Sequence, residues 1–143
     1  MIIEQKYSNE GMILKKTKIT NWSPIIDAIV TNLHNGQETL TTERFLVDSG
    51  ASLSILGPSL GNLFSDTVPF DSFYVAYGSG TKQLDVFKVK LTMQGGYQIE
   101  ILAALDTTLR FKNHLLGVTK GFEHFDHLVL NNKSKLTKLV KKY

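Results

Sequence analysis

Residues 44–56 read Arg-Phe-Leu-Val-Asp-Ser-Gly-Ala-Ser-Leu-Ser-Ile-Leu, an apolar strand pattern that is interrupted by an acid. Three apolar residues lead into Asp48, then come a hydroxyl, a glycine and a small residue, and the apolar pattern resumes. A charge without a partner is not tolerated inside a dry sheet, so the strand must end in a turn at the acid. Gly50 permits that turn. The stretch therefore predicts a buried strand that presents Asp48 at its end.

Length and composition predict one globular domain over residues 1–143, with residues 1–22 as an N-terminal extension and residues 133–143 as a basic tail. The chain has 143 residues, of which 42% are hydrophobic and 20% charged, enough for one core. No apolar run approaches the roughly 20 residues that a membrane span needs. The first residues lack the basic and apolar regions of a secretory signal. The chain has no cysteine, which excludes disulfides and thiolate metal sites, and we expect a cytoplasmic protein without a membrane partner.

The rest of the chain alternates short β-rich runs with turns. Asn35-Gly36 separates two such runs, residues 25–33 and 39–47, and is a strong signal for a hairpin with a type I′ turn. The first part of the chain is therefore a hairpin that delivers Asp48. Further strands are predicted at residues 53–56, 71–77, 81–93, 99–105, 128–130 and 136–140, with a helical turn at 59–64 and a short helix at 118–125. Many short strands with regular turns favour an all-β domain, a small barrel or sandwich.

Three motifs stand in a fixed order along the chain. A loop, Asp48-Ser49-Gly50-Ala51, follows a hairpin; Gly-Ser-Gly tips a second hairpin at residues 77–81; and Leu115-Leu116-Gly117 precedes the predicted helix. Over residues 24–140 this order resembles the retropepsin-like (retroviral-type) aspartic proteases. The resemblance implies the all-β, small closed barrel of that family, with a flap hairpin and one short C-terminal helix.

The resemblance also implies an aspartic endopeptidase without metal or cofactor. In that family two carboxylates share one proton and activate a water that attacks a peptide bond. Asp48 is the one aspartate of this sequence in an Asp-Ser/Thr-Gly loop. A dyad would therefore need Asp48 from each of two chains in a homodimer.

Roles carried over from the family fall on the first and second motifs. Asp48 is the implied catalytic acid and base, and the Ser49 hydroxyl would hold the two loops of the dimer together. The Gly50 backbone would approach both carboxylate and substrate, and Ala51 completes the loop. An extended peptide or protein substrate would bind as an added strand, covered by the flap. The flap residues implied by the resemblance are Tyr77, Gly78, Ser79 and Gly80.

The chain departs from the viral pattern beside the first and third motifs. Viral members often pair an acid after the loop's alanine with an arginine after the later glycine, but here the positions hold Ser52 and Val118. The family often has Asp or Asn where this chain has Thr119. Because the acid and the arginine are both absent, neither charge is left unpaired. One contact that supports the viral dimer is missing, however. A second hypothesis is therefore a catalytically weak or inactive domain that serves dimerisation or peptide binding.

Two other motifs suggest different chemistry. Gly57-Pro58-Ser59-Leu60-Gly61 matches the G-x-S-x-G nucleophile elbow, but the elbow needs a large parallel sheet, so a strand-ending turn is the better interpretation. His124 and His127, with His114 upstream, have spacings that a zinc site could use. Surface or interface histidines explain them better, and no metal site is predicted.

Nucleic acid is not an expected partner, although a module that binds it through the basic tail is a third hypothesis. Five lysines lie at positions 133, 135, 138, 141 and 142, and a solvated edge strand or chain end explains them. The aromatic residues near Lys82, which are Phe73, Tyr74 and Tyr77, could stack on bases. Ordinary strand alternation accounts for them better.

Overall fold

The structure, a computed structural model, describes residues 1–13, 15–77, 80–110 and 113–141. Its regular structure is almost entirely β, as predicted. The strands are β1 (Ile2–Lys6), β2 (Ser8–Ile13), β3 (Lys18–Ser23), β4 (Ile25–Asn32), β5 (Glu43–Val47), β6 (Ser54–Leu56), β7 (Asp71–Tyr77), β8 (Gly80–Thr92), β9 (Gln98–Leu105), β10 (His114–Leu116), β11 (His127–Asn131) and β12 (Leu136–Val140). Short 3₁₀ turns span Pro58–Phe64, Gln94–Gly96 and Phe122–His124. None of the described helices is long and apolar enough to cross a bilayer.

Six strands close into a barrel, as predicted. Around the barrel the order is β4, β5, β10, β6, β9 and β8, and pairing of β4 with the C-terminal half of β8 completes the circle. The N-terminal half of β8 pairs instead with β7. β7 is thus the outermost strand of this sheet, and its other edge pairs with no strand among the described residues.

Alternation along the strands fills the barrel with apolar side chains. In β5, Phe45 and Val47 are buried, whereas Arg44 is exposed and Leu46 is half-buried. Phe45 and Val47 pack in one core cluster with buried residues of β4, β8, β9 and β10. Burying one side chain of this size stabilises a fold by about 1.5–3 kcal/mol. Asp48 follows directly on this buried strand, as predicted.

The two ends of the chain meet in a separate sheet. β12 lies between β1 and β11 and is antiparallel to both. Ile3 and Leu139 face each other in this sheet, and both belong to the main core cluster. Strands of the predicted N-terminal extension and basic tail therefore pack against the barrel. β2 and β3, which follow β1 and precede β4 in the sequence, form a separate two-stranded sheet.

The turn between β4 and β5 differs from the predicted type I′ turn. Gly36 has a positive φ of 76°, but Asn35 does not. Asn35 Oδ1 instead accepts a hydrogen bond from the Gln37 N–H (2.9 Å), which fixes the turn through a side chain. The loop is longer than expected, and β5 begins at Glu43 rather than at Thr39.

The predicted short C-terminal helix is present as a single 3₁₀ turn, Phe122–His124. Residues 118–121 cannot extend it toward the N-terminus, because Lys120 has a φ of 61°, which lies outside the helical region. The Phe122 N–H donates to the Gly117 carbonyl (3.1 Å). Thr119 forms a bridge with Leu53, so this part of the chain is extended and supports the loop after Asp48.

β10 crosses closely beneath that loop. It pairs in parallel with β5 on one side and antiparallel with β6 on the other. The Gly117 N–H donates to Ser54 Oγ (2.9 Å). A Cβ atom on Gly117 would lie 2.5 Å from the carbonyl carbon of Leu53. Glycine is therefore required where the two segments touch.

Replacing Gly117 by alanine should destabilise the protein. The added methyl group meets the backbone of Leu53 and Ser54, and such overpacking lowers the free energy of unfolding by about 1–3 kcal/mol or more. Urea unfolding followed by circular dichroism measures the change. Gly61→Ala is the control, since its Cβ would lie 3.7 Å from its nearest neighbour, Thr107 Cγ2. Equal stability of the two variants would contradict the close contact at Gly117.

Candidate active site

Asp48 is held by backbone groups at the end of β5. Its own N–H donates to the Leu116 carbonyl (3.1 Å), and the Ala51 N–H donates to the Asp48 carbonyl (3.2 Å). The Gly50 N–H donates to the carboxylate oxygen Oδ1 (2.8 Å). A Cβ on Gly50 would lie 3.1 Å from that oxygen. The tight turn thus orients the carboxylate, and glycine leaves room beside it.

The segment after Gly117 supports the Asp48 loop through backbone hydrogen bonds. The Val118 N–H donates to the Ala51 carbonyl (2.9 Å), and the Thr119 N–H donates to the Ser52 carbonyl (2.9 Å). Ser52 and Val118 are the positions where viral relatives often carry a charge pair. Here Val118 is 38% exposed, and main-chain bonds rather than side-chain charges join the two segments.

A cleft of about 300 Å³ lies between the Asp48 loop and β7. Asp48 and Gly50 line it on the loop side. Phe73 and Val75 line it on the side of the hairpin formed by β7 and the N-terminal half of β8, which is called the flap below. Phe73, Val75 and Leu53 all pack against one small cluster of buried residues. The base of the flap and the chain that follows the Asp48 loop therefore share an apolar cluster.

The site residues predicted from the sequence lie in two places, the Asp48 loop and the tip of the flap. Asp48, Ser49, Gly50 and Ala51 form one loop, in which the Ser49 side chain is exposed. At the end of the flap ladder, Tyr77 pairs with Gly80, whose φ is 139°. Gly78 and Ser79 lie outside the described residues. The catalytic and substrate-binding roles of these residues stay predictions.

The apolar residues of the cleft wall were not recognised from the sequence as part of a site. The signal was present in the alternation of residues 71–77, because Phe73 and Val75 share a face and pair with Leu84 and Lys82 across the hairpin. Which side of the hairpin faces Asp48 depends on the closure of the barrel, and a local pattern does not contain that information.

Ser59 and His114 lie close together, but not in a catalytic arrangement. The Gly57 N–H donates to His114 Nδ1 (2.8 Å), so the neutral ring carries its proton on Nε2. Nε2 faces Ser59 Oγ and Glu43 Oε2, each at 3.4 Å. It therefore cannot accept the serine proton, and the G-x-S-x-G sequence is a strand-ending turn that opens a 3₁₀ segment.

The histidines considered as zinc ligands are engaged in separate parts of the fold. His114 is buried in β10, while His124 Nε2 lies 2.7 Å from the Glu100 carbonyl oxygen. Over the part of the chain that the structure describes, no three His, Asp or Glu side chains come together as a metal site.

Protonation of His114 makes the stability of the barrel depend on pH. Burial lowers the pKa of His114 below its usual value, and the hydrogen bond and charge of Glu43 oppose that shift in part. Protonation at Nδ1 would also break the bond from Gly57. The folded protein therefore prefers the neutral ring, and the unfolded chain binds more protons below a pH of about 6.5.

Stability should fall as the pH drops from 7 toward 5, by up to about 1.4 kcal/mol per pH unit from this one residue. His114→Asn should flatten that part of the profile, because Asn cannot titrate but can still accept from Gly57. Urea unfolding at a series of pH values measures the slope. His34→Asn, at an exposed position, is the control and should keep the wild-type slope; the same slope in His114→Asn would refute the assignment.

The closed barrel, the acid loop at the end of one strand and the overhanging hairpin together define an acid-protease type of architecture. Comparison with solved structures narrows this class. The crystal structure of a retropepsin-like aspartic protease from Rickettsia conorii matches with a TM-score of 0.57 and 16% identity, over 97% of this chain and 91% of that chain. The present chain thus has the retropepsin-like fold, and the resemblance inferred from the sequence is confirmed at the level of fold.

A second match is the solution structure of the Simian foamy virus (mac) protease. It has 22% identity and a TM-score of 0.44, over 65% of this chain and 86% of that chain. No protein-family model and no curated protein sequence matches the chain.

Proposed function

We propose that this protein is an aspartic endopeptidase that acts as a homodimer, with an active site built from one Asp48 of each chain. The observation that carries the proposal is the placement of Asp48 on the wall of a cleft, beneath a hairpin, with its carboxylate oriented by the Gly50 N–H. Among the described residues that line this cleft, Asp48 supplies the one carboxylate. A second copy would supply the other.

Two facing carboxylates at this position would share one proton, because like charges a few ångströms apart cannot both ionise readily. The ionised carboxylate takes a proton from a bound water, whose oxygen forms a bond to the peptide carbonyl carbon. The protonated carboxyl gives its proton to the carbonyl oxygen. Collapse of the tetrahedral intermediate breaks the C–N bond, and a proton passes to the leaving amine.

The edge of β7 is suited to hold an extended substrate. Its outer side pairs with no other described strand, so a peptide can add to it through main-chain hydrogen bonds. Leu53, Phe73 and Val75 give the neighbouring cleft wall an apolar surface. We therefore propose an extended peptide or protein substrate with apolar side chains near the bond that is cleaved.

Replacing Asp48 by Asn should reduce peptide cleavage by at least about 10³-fold, because an amide cannot carry the shared proton. Cleavage of an unstructured protein or peptide mixture, assayed between pH 4 and 7, measures the loss. Asp66→Asn, at an exposed position outside the cleft, should keep full activity. Both variants should unfold at the same urea concentration as the parent, and undiminished cleavage by Asp48→Asn would refute the proposal.

Mixing subunits tests the dyad itself. Excess Asp48→Asn protein added to wild type should suppress activity, since mixed dimers hold one aspartate, whereas excess Asp66→Asn should not. Sedimentation at the same concentrations should show dimers. A strict monomer that is active in proportion to its concentration would contradict the proposed dyad.

A second candidate function is a dimerisation or peptide-binding domain with weak or no catalysis. Its support is the replacement of the viral charge pair by Ser52 and Val118, which changes one contact of the viral dimer. Dimerisation or peptide binding that Asp48→Asn leaves intact, without cleavage by the parent protein, would favour this candidate.

A further inference from the structure

The flap projects beyond the barrel as a two-stranded ribbon. β9 pairs with β8 from Asp85 to Thr92, while residues 80–84 of β8 pair with β7 alone. A ribbon of two strands is marginally stable without further contacts. The contacts that fix this one against the barrel therefore decide where it lies above Asp48.

One such contact is an ion pair between the flap and the turn after β9. Lys82 Nζ lies 2.9 Å from Asp106 Oδ1 and also donates to Thr108 Oγ1. Lys82 pairs with Val75 in the hairpin, so its side chain projects from the face that rests on the barrel. Asp106 is 2% exposed, and the flap supplies a lysine ammonium group to its buried carboxylate.

The turn at Asp106 is fixed independently of the flap. The Asp106 N–H donates to the Leu56 carbonyl (2.8 Å), and the Leu109 N–H donates to the Asp106 carbonyl (3.2 Å). The Thr108 N–H and hydroxyl both donate to Asp106 Oδ1, at 3.0 and 2.9 Å. The carboxylate is therefore a preorganised anchor for the lysine.

The far end of the same turn and the Asp48 loop pack into one apolar cluster. Leu109 is buried and belongs to a small apolar cluster with Ile55 and Leu115, against which Ala51 packs. Residues 106–109 thus contact the flap through Asp106 and share an apolar cluster with the candidate catalytic loop through Leu109. A shift of the flap that separates Lys82 from Asp106 breaks a charge-assisted hydrogen bond to a buried carboxylate, which costs free energy.

We propose that Lys82 and Asp106 form a latch that sets the position of the flap over the Asp48 cleft. They are positioning residues, since neither lines the cleft. The effect of the ion pair on the position of the flap does not depend on any catalytic activity. Its effect on catalysis rests on the proposed function. Removing it should increase the fraction of molecules with an open flap and weaken substrate binding more than it slows the chemical step.

Hydrogen exchange tests the latch without requiring activity. In Lys82→Met, amides of residues 73–77 and 80–84 should exchange about tenfold faster or more, as expected when a charge-assisted hydrogen bond is lost. Amides of residues 86–92, which β9 and β4 hold in the barrel, should not change. Lys90→Met is the matched control, because Lys90 lies on the same strand and forms no ion pair within the described residues; its flap should exchange as in the parent.

Further variants separate a latch from general destabilisation. Lys82→Arg should restore slow exchange, and Asp106→Asn should accelerate the flap to a similar extent. The double variant should be no faster than either single one, since both remove the same interaction. Unchanged flap exchange in Lys82→Met, or equal acceleration over residues 86–92, would overturn the proposal. If Lys82→Met does not fold, Asp106→Asn decides by the same criteria.

If the protein cleaves peptides, the latch variants should raise KM by a larger factor than they lower kcat. An inactive parent protein would refute the endopeptidase proposal while the exchange data still judge the latch. Rapid cleavage with unaltered KM in Lys82→Met, together with accelerated flap exchange, would show that the flap position does not govern binding.

Discussion

The contact between two backbones, at Gly117 and Leu53, is the constraint on which the rest of the structure depends. Because a side chain is excluded there, β10 can lie between β5 and β6 while the loop from Asp48 passes over its end. The hydrogen bonds from Val118 and Thr119 to this loop follow from the same crossing. Widening the gap by one methyl group would displace the acid, the loop and the residues that support the flap together.

Most of the fold, and the placement of Asp48 at the end of a buried strand, could be predicted because their signals are local. An apolar run that ends in Asp-Ser-Gly-Ala specifies a buried strand and a tight turn within a few residues. The pairing of β5 with β10 joins residues far apart in sequence, and no local pattern encodes it. The predicted helix at 118–125 is reduced to one turn because Thr119 bridges to Leu53 and Lys120 has a φ outside the helical region. The ion pair between Lys82 and Asp106 could not be predicted either, since no sequence pattern indicates which lysine pairs with which acid.

Main-chain hydrogen bonds join the Asp48 loop to the segment after Gly117, at positions where viral retropepsin-like proteases often have a charge pair. Ser52 and Val118 meet the neighbouring segment through their backbones, an arrangement that salt screens far less than an exposed ion pair. Charge is instead placed where the flap meets the barrel, with a buried carboxylate at one end. The proposed function requires a fixed acid and a flap that opens, and backbone hydrogen bonds beneath Asp48 together with an ion pair at the flap fit both requirements.

β8 is at once a wall of the barrel and one arm of the flap. Side chains along a strand alternate between its two faces, so an insertion of a single residue between these halves would turn the side chains of residues 80–84 to the opposite face. Lys82 would then point away from Asp106, and the pairing of β8 with Phe73 and Val75 of β7 would be disrupted. Natural variation in the length of this hairpin should therefore be confined to its tip, or should change both strands together so that the faces are preserved.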